Sequence, residues 1–420
     1  MKVKSLFFII CFFFFPIAFT GYSSLCLSST IRYTNPIISS PDYGVSDYSI
    51  TQSVKYNVEI NFSLTHTSIP NYDYWCKFAR LNNRQPNSPL TQFSPPYQES
   101  KLLSSNIIGS DDPPFILQDT FNNTYDVFNN TLSYNEQILL NQEYNITLNE
   151  VVFKDISGAG AVYNLSDNMF NLYCNNPELY YERDDADLIA KSNEIVGSIT
   201  DPVLKAERIY NWVYDHLDYD ENLPAQEKGA LWAYNNKRGD CSEYSSLMVT
   251  LLRIQNIPAR KVTGFVISNN PTTRPQVGNE WNFYVSGNDE GLTSDFLGHA
   301  WVEYYVPDIG WIECDPTWKG ASSNYFNKND YLRFHLNIGQ WFSIPQLSDT
   351  SEFSNPCIVY ESSSTFNYLY QVKITVLESN LLPVAPFPIF LIIFIGIGVA
   401  AVLITLILII KRSRKKDLFE

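Results

Sequence analysis

The 420-residue sequence predicts an α+β core that is preceded by an all-β, sandwich-like domain and followed by a C-terminal transmembrane helix. Residues 54–65 alternate apolar and polar side chains, which is typical of a half-buried strand. Helical patterns begin near residue 185 and give way to consecutive strand patterns, which indicates an α+β unit. Residues 389–410 form an uncharged apolar run of 22 residues, long enough to cross a hydrocarbon layer of ~30 Å.

Both ends of the sequence have the pattern of membrane signals. A basic start precedes the apolar run from Leu6 to Phe19, which is short for a membrane span, so residues 1–22 are predicted to be a secretory signal peptide. An uncleaved anchor is the alternative. At the other end KRSRKK follows the long apolar run directly, and the positive-inside rule places this basic tail in the cytoplasm. We therefore expect a single-pass protein of the cell membrane whose N-terminal bulk is extracellular.

Changes in periodicity and composition divide the sequence into segments. Alternating, turn-rich stretches come first, helical and then strand patterns follow, and alternation returns before a proline-containing linker. The predicted segments are the signal peptide (1–22), a β-rich N-terminal domain (30–175), the α+β core (176–345), a β-rich tail (346–378), the linker (379–388), the transmembrane helix (389–410) and the cytoplasmic basic tail (411–420).

The charge balance excludes one class of partner. Asp and Glu total 44 and Lys and Arg total 29, for a formal net charge of −15. Such a surface repels the phosphate backbone, so nucleic acid is not an expected partner. Cations and basic proteins suit it better.

Cys241 stands directly after Gly-Asp and directly before an amphipathic helix pattern. A cysteine in the first turn of a helix lies beside unpaired backbone N–H groups and the positive end of the helix dipole, which favour an anion. We therefore expect a lowered thiol pKa and a nucleophilic thiolate. A buried structural thiol and one half of a disulfide are the alternatives.

His299 and Asp315 are the candidate partners of this thiol. His299 opens the strand pattern HAWVEYYV, on which Trp301 and Glu303 should share its face. Asp315 lies 16 residues further along, on the next strand after a predicted hairpin turn. A carboxylate there could accept the second N–H of the imidazole and fix its tautomer. Taken singly, a strand histidine is more often structural and an aspartate before proline is more often a turn former.

The motifs GDCSEY, IPAR, HAWVEYYVPDIGW and DPTW, in that order between residues 186 and 318, resemble the transglutaminase-like superfamily. The resemblance implies a papain-like fold in which Cys241 is the nucleophile, His299 the base and Asp315 the orienting acid. It also implies attack on a carboxamide or peptide carbonyl to form a thioester. An amine would resolve that thioester to a cross-link, and water would resolve it to deamidation or proteolysis. The flanking β domain and predicted anchor are similar to membrane-tethered members of archaea and bacteria.

The resemblance implies a protein or peptide substrate, with Gln and Lys side chains as candidate reacting groups. No calcium-ligand run is recognisable, so we expect neither a metal nor another cofactor. An oxyanion would be met by the Cys241 N–H and one further donor, but Trp212 and Trp232 do not stand at the spacing of the donor tryptophan in the animal enzymes. Two alternatives stay open: an inactive binding or scaffolding protein that has kept the fold, and a glycan-active relative such as a peptide-N-glycanase.

Overall fold

A computed structural model describes residues 48–84, 93–110, 114–223, 227–288, 292–320, 323–339, 342–344, 347–350, 356–361 and 363–381. The predicted signal peptide, transmembrane helix and basic tail lie outside these ranges. Within them, no helix is long and apolar enough to cross a membrane. The chain divides into two units, Met1–Asn380 and Leu381–Glu420, and every helix and strand of the described ranges belongs to the first.

The helices and strands of the described ranges are numbered in chain order. The N-terminal strands are β1 (Tyr48–His66), β2 (Tyr72–Ala79), β3 (Gln98–Ile108), β4 (Phe115–Gln118), β5 (Thr124–Leu132) and β6 (Gln137–Phe153). The helices are α1 (Asn168–Phe170), which continues as a π-helical turn (Asn171–Asn175), α2 (Ala186–Val196), α3 (Pro202–His216), α4 (Ala230–Asn236) and α5 (Cys241–Ile254). The remaining strands are β7 (Asp218–Tyr219), β8 (Arg238–Gly239), β9 (Ala259–Val266), β10 (Glu280–Asn288), β11 (Leu292–Ser294), β12 (Gly298–Val306), β13 (Gly310–Cys314), β14 (Lys319–Gly320), β15 (Ser323–Asn324), β16 (Arg333–Ile338), β17 (Phe342–Ile344), β18 (Leu347–Thr350), β19 (Cys357–Tyr360) and β20 (Phe366–Ser379).

The largest sheet has six strands in the order β11-β10-β20-β1-β6-β3. The alternating pattern of residues 54–65 lies within β1, where every second side chain from Val54 to Leu64 is buried, because successive side chains of a strand point to opposite faces. This sheet takes strands from three distant stretches of the chain: residues 48–153, 280–294 and 366–379.

A four-stranded sheet in the order β19-β2-β5-β4 packs on the large sheet through aromatic rings. The ring of Phe78 on β2 lies 4.7 Å from that of Phe62 on β1 and 5.9 Å from that of Tyr370 on β20. Burial of such rings supplies most of the packing energy of an interface between two sheets. These two sheets therefore form two layers that pack face to face.

The core sheet, in the order β13-β12-β9-β16, holds the candidate site. The apolar stripe of α5 packs against it: Leu247, Met248 and Leu251 share one buried cluster with Val302 and Ile312. With this stripe packed on the sheet, the N-terminus of α5 lies beside Ala300, near the start of β12. An α+β core with extensive β-sheet is therefore the fold of the described chain.

Candidate active site

Cys241 is the first residue of α5, the position that the sequence pattern predicts. The helix start is secured by a capping box, in which the Asp240 carboxylate accepts the Ser242 N–H at 2.7 Å. In return the Glu243 carboxylate accepts the Asp240 N–H at 3.1 Å. These reciprocal bonds satisfy backbone donors that a helix leaves unpaired, so the local sequence places the thiol at a defined point.

The expectation of a lowered thiol pKa was wrong. Burial raises the pKa of the Cys241 thiol well above its ordinary value, and the charges of Asp240, Asp315 and Glu243 raise it further. The N–H of Ala300 donates to the sulfur and opposes this rise. Desolvation and the nearby acidic groups therefore outweigh the effect of the helix dipole on the thiol pKa.

His299 and Asp315 lie on neighbouring strands of the core sheet. β12 carries His299, and Asp315 follows the last residue of β13, which pairs with β12 across a hairpin. His299 Nε2 lies 2.6 Å from Asp315 Oδ2, and both side chains are buried. Because Ala300 directly follows His299 in the chain, its bond to the Cys241 sulfur brings all three predicted residues to one place.

Asp315 is ionised in this environment. Burial alone would raise the pKa of its carboxyl, but the charge and hydrogen bond of His299, together with Arg333 and Thr317, hold that pKa well below its usual range. An ionised carboxylate only accepts hydrogen bonds, so His299 Nε2 carries a proton. In the neutral imidazole, Nδ1 is then the nitrogen that can accept a proton.

Two partners of Asp315 were missed in the sequence. Thr317 donates to Asp315 Oδ1 from its backbone N–H at 3.0 Å and from its hydroxyl at 2.6 Å. Arg333 Nη2 donates to Asp315 Oδ2 at 2.9 Å. Thr317 lies in the DPTW motif and could have been found there, because Asx turns bond to the residue two positions on. Arg333 is 18 residues further along the chain and has no local signal.

The predicted face of β12 is occupied by Trp301 and Glu303. The Trp301 ring stacks on that of His299, with the centroids 5.9 Å apart and the planes at 26°. Glu303 is fully buried and binds the guanidinium groups of Arg260 and Arg84. Glu303, Arg260 and Arg84 thus form a second buried charge cluster, apart from the triad residues.

The other three histidines lie elsewhere, all within the described ranges. His66 contacts the Tyr74 hydroxyl at 2.7 Å, and His216 stacks on Trp212 at 4.2 Å. His335 is buried beside Glu313 and Asn329. None of these contacts joins a histidine other than His299 to Cys241.

Neither upstream tryptophan is placed as an oxyanion donor. Trp212 stacks on the His216 ring, and Trp232 lies under the Arg238 guanidinium at 5.7 Å. Tyr219 lies nearer: its backbone pairs with Gly239, and the charge of Cys241 is the main electrostatic contribution, after burial, to the raised pKa of its hydroxyl. Sequence reasoning did not single out Tyr219. Among the described residues, no group of three or more His, Cys, Asp or Glu side chains could hold a metal ion.

Comparisons with known proteins agree with the resemblance seen in the sequence. Residues 189–316 match the family model of the transglutaminase-like superfamily. The protein-glutamine gamma-glutamyltransferase of Pseudomonas aeruginosa is 36% identical over 88 residues, which cover 21% of this chain and 11% of that protein. The uncharacterized protein YebA of Bacillus subtilis is 32% identical over 100 residues, covering 23% and 12%. This chain thus spans about a tenth of the length of these curated relatives.

A solved structure shares the fold over most of the chain. A protein described as a candidate cysteine protease from Cytophaga hutchinsonii has a TM-score of 0.50 at 16% sequence identity, and the match covers 81% of this chain and 96% of that one. At this identity the likeness concerns the fold alone. The match of residues 189–316 to the family model is what relates this chain to the transglutaminase-like superfamily.

Proposed function

We propose that this chain is a membrane-anchored extracellular cysteine enzyme that forms a thioester on a protein carboxamide or peptide carbonyl. Cys241 would be the nucleophile, His299 the general base and Asp315 the acid that orients the imidazole. The observation that carries the proposal is the 2.6 Å contact between His299 Nε2 and Asp315 Oδ2, made beside a thiol that accepts the Ala300 N–H. This is the nucleophile, base and orienting group of covalent catalysis.

The reaction follows from the proton positions. His299 Nδ1 removes the thiol proton while the sulfur of Cys241 attacks the carbonyl carbon, and the Nε2 proton stays on its bond to Asp315. The tetrahedral intermediate then collapses: the C–N bond breaks, the proton moves from Nδ1 to the leaving amine or ammonia, and a thioester remains on Cys241. An acceptor amine or water attacks this thioester, loses a proton to His299 and releases the thiol.

Two outcomes of the thioester belong to the proposal. An amine acceptor gives an isopeptide cross-link, whereas water gives deamidation or peptide cleavage. The glutamyltransferase name of the Pseudomonas relative supports a glutamine carboxamide as acyl donor, although the match covers 11% of that protein. The excess of 44 acidic over 29 basic residues favours an acceptor that carries lysine.

A glutamine peptide incubated with a fluorescent primary amine separates these outcomes. Incorporation of the amine identifies a transferase, ammonia release that the amine does not suppress identifies a deamidase, and two shorter peptides identify a protease. Cys241→Ala is the inactive control for all three products.

Localisation at the cell membrane rests on the predicted signal peptide (1–22) and transmembrane helix (389–410). A membrane-impermeant, lysine-directed reagent applied to intact cells tests this topology. Lysines of the described domain should react, and the lysines of the tail (411–420) should react only after the cells are opened. Reaction of both sets at equal rates in intact cells would reject the topology.

The experiment that tests the thiol chemistry is alkylation of the full-length chain by iodoacetamide between pH 4 and 9, with the modified peptide located by mass. Cys241 should react faster than its raised thiol pKa alone would allow, and the reaction should slow in His299→Ala, because the imidazole takes the thiol proton during attack. Cys174 and Cys314 are the internal controls: burial raises their thiol pKa as it does that of Cys241, but their sulfurs contact the Arg253 carbonyl and the Met248 sulfur. Equal alkylation curves for Cys241 in the wild type and His299→Ala would reject the proposal.

A binding or scaffolding protein that has kept the fold is the second candidate. The burial of Cys241, which is 4% exposed with a raised thiol pKa, favours it. In that case none of the three products forms, and Cys241→Ala leaves the binding partners of the chain unchanged.

A further inference from the structure

Arg333 opens β16 and lies at the core of a built charge site. Its side chain is 1% exposed. Its Nη2 is 2.9 Å from Asp315 Oδ2, and its Nη1 forms an ion pair with Asp330 Oδ2 at 2.7 Å. The guanidinium is held between two aromatic rings, 4.3 Å from that of Trp318 and 4.2 Å from that of Tyr325. The group is therefore fixed on both faces and at both ends.

The oxygen that Arg333 binds is the one that binds the imidazole. Asp315 Oδ2 accepts from His299 Nε2 at 2.6 Å and from Arg333 Nη2 at 2.9 Å. Both bonds to the other oxygen, Oδ1, come from Thr317. Four donors thus hold this carboxylate, and rotation about its Cβ–Cγ bond would break all four.

We propose that Arg333 is a positioning residue of the Cys241–His299–Asp315 triad. It holds the Asp315 carboxylate in the orientation that accepts the His299 N–H, and its positive charge opposes protonation of the imidazole. The kinetic part of this inference rests on the proposed function; the effect on His299 does not. With Arg333 present, the aspartate charge is shared between two cations, so the imidazolium is less stabilised than it would be beside a lone carboxylate.

Stability alone is a poor reason for this arrangement. A buried ion pair gains little over apolar side chains of the same volume, because both charges lose their hydration. The fold also contains a comparable arginine that serves no triad residue. Arg260 is 2% exposed, pairs with Glu303 and stacks on Trp311 at 3.7 Å. Arg260 is the matched control for loss of a buried guanidinium.

The charge on His299 depends on the groups around it. Asp315 binds it directly, Arg333 and Asp330 lie beyond Asp315 on the β16 side, and Cys241 lies at the start of α5. Further titratable groups in electrostatic range of these residues include Asp240, Glu243, Cys314, Tyr56, Tyr210, Tyr219, Tyr325, Tyr331 and His335.

Two substitutions move the charge near His299 in opposite directions. Arg333→Met removes a cation, which stabilises the imidazolium, so the NMR transition of His299 should move to higher pH. Asp330→Asn removes an anion from the far side of the guanidinium, so that transition should move to lower pH. Arg333→Lys keeps the charge but cannot bridge two carboxylates as a planar fork does, so it should slow catalysis without moving the transition.

The test is an NMR titration of the histidine side chains in the full-length chain, which holds four histidines. The His299 signal is assigned by its loss in His299→Ala. The expected result is a rise in Arg333→Met, a fall in Asp330→Asn and no change in the Arg260→Met control. Unchanged His299 titration in both Arg333→Met and Asp330→Asn would overturn the proposal. If Arg333→Met does not fold, the fall in Asp330→Asn decides alone.

The pH dependence of Cys241 alkylation gives the kinetic half of the test. The pH below which the alkylation rate falls should depend on His299, so it should be higher in Arg333→Met and lower in Asp330→Asn. The alkylation rate itself should drop about 10- to 100-fold in Arg333→Met, because the imidazole is misplaced. If wild-type Cys241 shows no His299-dependent reaction while the NMR shifts occur, the proposed function fails and the role of Arg333 stands. If His299-dependent alkylation occurs and the pH below which its rate falls does not move, the role of Arg333 fails alone.

Discussion

The backbone N–H of Ala300 donates to the sulfur of Cys241, which joins the start of α5 to the strand that carries His299. The two residues are far apart in the chain, and their contact depends on how α5 packs on the core sheet. β12 lies inside that sheet, paired on one side with β9 and on the other with β13. The nucleophile therefore comes from a helix end and its base from an interior strand, which gives both a rigid support.

Asp315→Asn should abolish most of the activity and also lower the stability of the fold, because it removes one of the two carboxylates that pair with the buried Arg333. An asparagine can turn its NH₂ group towards His299, which would place the ring proton on the nitrogen that must act as base. In a serine protease triad the same change lowers kcat by about 10⁴-fold. We expect a loss of that order in amine incorporation or in Cys241 alkylation at neutral pH.

The matched control is Asp201→Asn, which alters an aspartate that caps α3 through the N–H groups of Val203 and Leu204. It should change stability little, because Asn caps a helix about as well as Asp does, and it should leave alkylation unchanged. A fully reactive Cys241 in Asp315→Asn would remove Asp315 from the triad.

Gly264→Ala should displace β16 and weaken the site. A Cβ at this position would lie 1.9 Å from the carbonyl oxygen of Phe334, the neighbour of Arg333, so one backbone must move. Overpacking of this kind destabilises a protein by about 1–3 kcal/mol. We expect a lower midpoint in urea unfolding, with slower Cys241 alkylation in the fraction that stays folded.

Thr263→Ala, one position earlier on β9, is the control for an altered side chain on that strand. It adds no atoms and should keep the wild-type alkylation rate. Equal unfolding midpoints for Gly264→Ala and the wild type would contradict this prediction, because they would show that β9 and β16 can move apart without loss of stability.

Glu243 should make the chain less stable as the pH rises from about 4.3 to about 8. Burial, aided by the charge of Asp240, raises the pKa of Glu243 to about 8, whereas an unfolded glutamate titrates near 4.3. Between these values the folded chain keeps a proton that the unfolded chain has released, so the free energy of unfolding falls with rising pH. Glu243→Gln cannot titrate and should flatten this slope.

Urea unfolding at intervals from pH 5 to 8 measures the effect. Glu207→Gln, at an exposed position on α3, controls for the change in net charge and should keep the wild-type slope. If the slope is the same with and without Glu243, the proton is held elsewhere in the cluster, and our account of this carboxyl is incorrect.

Local patterns in the sequence determine much of the site. The alternation in β1, the Asp240 cap before α5 and the hairpin between His299 and Asp315 depend on residues within about 20 positions of one another, so each leaves a readable period or spacing. The structure places Cys241, His299 and Asp315 together, as the combined motifs suggest, and their catalytic roles stay a proposal.

Tertiary structure alone decided the rest. β10 and β20 join β1 in one sheet by backbone pairing, which leaves no trace in side-chain periodicity. Arg333 reaches Asp315 from the far strand of the core sheet, and the thiol pKa of Cys241 rises because packing removes water and brings carboxylates near. The sequence indicates which face of a helix or strand is buried. The residues that pack against that face come from distant parts of the chain, so the charges around a buried group are set only by the tertiary structure.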